Sequence, residues 1–131
     1  EIGVRLVGSE MCIRDSPKVI RRICTEEERQ LIAQASNPDE AFFRIWTLKE
    51  SYVKAIGIGV SYPMQTIALH LEGAAISSNL PGYRFVQYVL QNRYVLALCT
   101  TAPPEEPIHL LATSLERIPI LAETETAHPV P

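Results

Sequence analysis

The chain has 131 residues, 47% of them hydrophobic and 21% charged, with a formal net charge of −3. These values describe one modest globular domain. They exclude a disordered chain, and they give no reason to expect nucleic acid as a partner. No apolar run approaches the roughly 20 residues that span a bilayer, and no basic start followed by an apolar stretch opens the sequence, so neither a membrane nor an export route is expected. Cys12, Cys24 and Cys99 are widely spaced with no C-x-x-C pair. That pattern is neither a disulfide framework nor a zinc site and suits a reducing, cytoplasmic setting.

Residues 1–16 show no clear amphipathic period and end at Pro17. The string from Leu6 to Ser16, LVGSEMCIRDS, resembles one reading frame of a transposase-type DNA-sequencing adapter. Residues 1–16 are therefore expected to be a non-native adapter translation and are set apart from the fold. They hold Arg5 and Arg14 against Glu1, Glu10 and Asp15, which leaves 10 basic and 12 acidic residues in the remainder. On this reading the natural protein began upstream of Pro17.

Thr25-Glu26-Glu27-Glu28 is a capping box: the Thr25 hydroxyl can accept from the Glu28 amide while Glu28 reaches back. A helix is predicted over 26–35, with Leu31, Ile32 and Ala35 inward. A second helix is predicted over 38–56. Asn37 is its N-cap, Pro38 takes the first helical position, Asp39 and Glu40 face the positive end, and Gly57 closes it. Phe42, Ile45, Trp46, Leu48, Tyr52, Val53 and Ile56 form its apolar stripe. Gly57 to Pro63 reads as a loop. Strands are predicted over 66–72, 83–90 and 94–101, with Gln91-Asn92-Arg93 as a hairpin turn between the last two. Residues 103–107 read as a linker, 108–113 as an edge strand and 114–117 as a single turn. Residues 119–131 lack a core pattern and are expected to be a disordered tail. Helices followed by an antiparallel meander make the expected class α+β, a long helix packed on an antiparallel sheet.

The second helix also carries the chemistry. Residues 46–54 read Trp-Thr-Leu-Lys-Glu-Ser-Tyr-Val-Lys. Glu50 and Lys54 are four apart and share a helix face, with Cβ atoms about 5–6 Å apart. Lys49 lies about 100° round from Glu50. An acid able to hold a hard cation beside a base able to hold a phosphate suits a metal–diphosphate substrate. The same spacing also suits a plain i, i+4 salt bridge between Glu50 and Lys54. His70 and His109 have no neighbouring ligand set, and Ser61 and Cys99 have no base motif, so nucleophilic catalysis is not indicated.

The combination W-x-x-K-E-S-x-x-K followed by Gly57-Ile58-Gly59-Val60-Ser61-Tyr62-Pro63 resembles the 4′-phosphopantetheinyl transferase superfamily, specifically its two-lobed surfactin-synthetase-type branch. The resemblance covers about residues 19–118 and makes 17–118 the expected C-terminal lobe. It implies Mg²⁺-dependent transfer of phosphopantetheine from coenzyme A to a serine of an acyl- or peptidyl-carrier protein. It implies that Glu50 is a Mg²⁺ ligand and catalytic, helping to deprotonate the serine. By the same resemblance Lys54 is catalytic and holds the diphosphate, and Lys49 lies near the coenzyme. The family's other two acidic ligands, in an upstream G-x-D-x-E-type motif, have no match between Pro17 and Glu50, where the one Asp is Asp39. The segment alone is therefore expected to be inactive and to depend on a missing N-terminal lobe. Two other readings stand beside this one: a single-lobed trimeric holo-acyl-carrier-protein synthase, and a non-catalytic carrier-protein interaction lobe.

Overall fold

A computed structural model describes residues 3–6, 17–90, 94–103, 105–109, 111–112, 123–124 and 128–129. The architecture is α+β. Three helices, α1 (Pro17–Ile23), α2 (Glu26–Gln34) and α3 (Pro38–Ile56), precede most of the strands. β1 (Gly3–Leu6), β5 (Tyr94–Thr100), β4 (Arg84–Leu90) and β8 (His128–Pro129) form a four-stranded sheet in the order β1-β5-β4-β8. β2 (Leu69–Glu72) pairs with β3 (Ala75–Ser78), and β6 (Leu111–Ala112) pairs with β7 (Glu123–Thr124). Every pairing is antiparallel.

Local chemistry sets the helix ends. The Thr25 hydroxyl accepts from the Glu28 amide at 3.2 Å, and Glu28 Oε2 accepts from the Thr25 amide at 2.8 Å. The Asn37 side chain accepts from the Glu40 amide at 3.2 Å, with Pro38 leading the first turn. Gly57, at φ 73°, adopts the left-handed conformation that ends α3, and its amide donates to the Val53 and Lys54 carbonyls.

The core lies where α3 covers the β4–β5 hairpin. Phe42, Phe43, Ile45, Leu48, Tyr52 and Val53 are buried there with Phe85, Ala97 and Cys99, and Ile32 and Ile67 close it from the sides. Phe85 pairs with Cys99 and Gln87 with Ala97, so these four share the inward face. Gln87 is a buried polar residue among them and is satisfied by α3. Its Nε2 donates to the Arg44 carbonyl at 3.0 Å and to Thr47 Oγ1 at 2.9 Å, and its Oε1 accepts from Arg44 Nε at 3.1 Å. These bonds fix α3 along the hairpin, because a buried amide that lost them would be left unsatisfied.

Several expectations change. α1 is a helix that was not predicted, although Pro17 suits its first position, and none of its residues is fully buried. Leu31 is 39% exposed, while Ile32 faces the core alone on that turn. The strand predicted over 66–72 begins at Leu69, after a 3₁₀ turn at Met64–Thr66, and β3 follows through a turn at Gly73. Gly3–Leu6, in the segment set apart as foreign, lies along β5. An open sheet edge offers backbone groups to any extended segment, native or not. Glu123–Thr124 and His128–Pro129 form short strands within the expected tail. The turn at 91–93, the turn at 114–117 and the rest of 119–131 lie outside the described residues.

Candidate active site

α3 carries its three site residues in two different environments. Lys49 points inward, with its side chain 0% exposed and that of Glu28 2%. Its ammonium donates to Glu28 Oε2 at 2.6 Å, to the Ile23 carbonyl at 2.8 Å and to the Met64 carbonyl at 3.1 Å. A lysine ammonium has three donors, and all three are spent. Glu28 is equally committed. Oε2 takes the Thr25 amide and Lys49, and Oε1 takes the Leu69 amide at 3.0 Å. Lys49, expected from the resemblance to lie near a coenzyme, is thus held by the protein itself.

Glu50 and Lys54 form the other environment. Glu50 is half-buried and Lys54 exposed. Neither side chain has a hydrogen bond or ion pair among the described residues; the salt bridges found there are Lys49–Glu28 and the surface pair Arg29–Glu26. The i, i+4 bridge that their spacing allows is not formed. A carboxylate and an ammonium therefore stand open one helical turn apart, with Lys54 in the last turn where the helix dipole favours a cation.

The segment after α3 is braced against it. The Tyr52 ring meets Tyr83 edge-on at 4.9 Å between centroids and Tyr62 at 5.7 Å. This packing ties the turn following Gly57 to the C-terminal half of α3, where Glu50 and Lys54 sit. Trp46 is half-buried and stacks on Phe42 at 6.0 Å, a packing position.

The remaining candidates do not gather. His70 on β2 and His109 in the irregular segment before β6 are both exposed. Burial pushes the Cys99 thiol up to about 11, and burial together with the Glu28 charge pushes Cys24 up to about 12, so neither is a thiolate at neutral pH. No cluster of three or more His, Cys, Asp or Glu able to hold a metal exists among the described residues. One open carboxylate is still a fit for Mg²⁺, which often takes one or two carboxylates and completes its sphere with water and substrate phosphates. Sequence reasoning missed the second role of Glu28. Its available signal was Ile32, four residues on and on the same helix face, which places Glu28 against the core.

Comparison with known proteins gives the family. The family model described as the 4′-phosphopantetheinyl transferase superfamily matches residues 2–99, and the chain belongs to that superfamily. It is 33% identical over 89 residues to the 4′-phosphopantetheinyl transferase psf-1 of Bacillus pumilus, covering 63% of this chain and 38% of that protein. It is 28% identical over 100 residues to the 4′-phosphopantetheinyl transferase Sfp of Bacillus subtilis, covering 72% and 44%. A Xenopus laevis L-aminoadipate-semialdehyde dehydrogenase-phosphopantetheinyl transferase is 31% identical over 74 residues, covering 51% and 24%. The chain thus spans less than half the length of these relatives. Among the described residues no helix is long and apolar enough to cross a membrane.

Proposed function

We propose that the full-length protein transfers 4′-phosphopantetheine from coenzyme A to a serine hydroxyl of an acyl- or peptidyl-carrier protein, and that this chain supplies the acid and base of α3. The observation that carries the reading is the open pair, Glu50 and Lys54, on a helix whose other buried charge is fully used. Membership of the superfamily supports it.

Glu50 is the residue on this chain that would hold Mg²⁺. The ion, when bound with the diphosphate, supplies charge neutralisation at its oxygens. Lys54 binds the diphosphate and stabilises the charge that develops as the adenosine bisphosphate leaves. Glu50 also accepts or relays the proton of the attacking serine. The acids that the resemblance places beside Glu50 are absent from the described residues, and the proposal assigns them to a lobe outside this chain. Cytoplasmic action follows from the same reading, since carrier proteins and coenzyme A are soluble partners.

Mass spectrometry of an apo-carrier protein incubated with coenzyme A, Mg²⁺ and the full-length protein tests the proposal. Addition of the phosphopantetheine mass is expected, and none with residues 17–131 alone. Efficient transfer by residues 17–131 would refute the division of the site between two lobes. No transfer by the full-length protein to any carrier would refute the function.

A further inference from the structure

We propose that Lys49 is a positioning residue, whose buried ion pair with Glu28 fixes the rotation of α3 and thereby the placement of Glu50 and Lys54. The inference rests on the function proposed above. Five segments meet at the pair. They are the C-terminal end of α1 through the Ile23 carbonyl, the N-cap of α2 through Thr25, α3 itself, the 3₁₀ turn through the Met64 carbonyl, and β2 through the Leu69 amide. Apolar packing through Cys24, Ile32, Ile67 and Leu69 also joins these segments to α3, and the two side chains add directional bonds to it.

Stability alone gives no reason to keep charges here. A buried ion pair loses much of its attraction to desolvation, and apolar side chains of similar volume are often as good. Ile45, Leu48, Tyr52 and Val53 already anchor α3 to the core. Gln87 adds directional bonds at Arg44 and Thr47, in the N-terminal half of α3, and Lys49 supplies them next to Glu50 and Lys54. Three hydrogen bonds from one ammonium are directional and resist rotation about the helix axis strongly. Glu50 and Lys54 lie about 100° and 140° round the helix from Lys49, at a side-chain radius of about 5–6 Å. A 20° rotation of α3 would therefore move either head group by about 2 Å. Misplacement of about 1 Å is enough to cost on the order of 10²-fold in rate.

E28Q, K49M and the double variant, all in the full-length protein, test the idea. Coenzyme A affinity is read by calorimetry and kcat by transfer to a carrier protein, across a Mg²⁺ titration. E28Q is expected to lower kcat on the order of 10²-fold and to raise the Mg²⁺ requirement about 10–100-fold, with any change in coenzyme A affinity the same as in K49M. K49M should match it, and the double variant should be no worse than either. If instead K49M weakens coenzyme A binding and E28Q does not, Lys49 is a ligand and the proposal falls. Where a single variant does not fold, the double variant decides, because it leaves no unpaired buried charge. Reduced kcat supports the proposal; wild-type kcat, or a double variant that also fails to fold, overturns it. A wild-type protein that transfers nothing removes the functional reading instead. Crystal structures of the wild type and the double variant then settle the pair: a shift of the Glu50 carboxylate by about 1 Å or more supports positioning, and an unmoved carboxylate contradicts it.

Discussion

The two sides of α3 treat charge in opposite ways. On the inner side, Lys49 and Glu28 are buried and bonded to capacity. On the outer side, Glu50 and Lys54 are spaced for a salt bridge and leave it unmade. Adjacent residues in one motif thus do different work. The inner charges satisfy each other and hold the helix, and the outer charges remain available to a ligand that carries charge of its own. The difference is one of environment, since a buried charge must be paired whereas a hydrated one need not be.

Substitutions on the two sides should separate cleanly. The largest expected effect is K49M, which strands the Glu28 carboxylate in the core and should cost about 3–5 kcal/mol of stability. A shift in the denaturant midpoint of the full-length protein checks this, and near-wild-type stability would break the contrast. E50Q comes next, with transfer falling on the order of 10²–10³-fold and the unfolding midpoint unmoved. K54M should lower kcat by about 10²-fold, again with stability within about 0.5 kcal/mol of wild type. A large loss of stability from either outer variant would mean that these side chains are structural after all. Thr25→Ala removes one half of the capping box and should cost about 1 kcal/mol, readable as a small drop in melting temperature. Smallest is the thiol chemistry. With its thiol held near 12, Cys24 is uncharged at neutral pH. Its alkylation should stay slow between about pH 7 and 9 and speed up only on unfolding.

What the sequence revealed follows the range of the interactions involved. The ends of α3 were legible because Asn37, Pro38 and Gly57 act within one turn of where they stand. The α2 cap was legible for the same reason. Burial of Lys49 was not, because its partner lies 21 residues away and only the packing of α2 on α3 brings them together. α1 lacks a fully buried residue, and β3 is half exposed, so neither shows a strong apolar pattern. Leu31 sits at a plausible core spacing, but Glu28 and Ile32 face the core there instead. For the site, the motif located Glu50 and Lys54 and left two readings open, a salt bridge or a ligand pair. Only the side-chain positions show the bridge unmade. Residues 1–16 are expected to be a translated sequencing adapter. Resequencing the source locus decides it: codons for 1–16 in genomic DNA would make that segment native.

As proposed, Glu50 is an open ligand for the metal of a coenzyme A–Mg²⁺ complex. Calorimetric titration of coenzyme A into the full-length protein, with and without Mg²⁺, measures this directly. Mg²⁺ is expected to tighten binding to the wild type and to have no such effect on E50Q. Equal tightening in both proteins would contradict the claim.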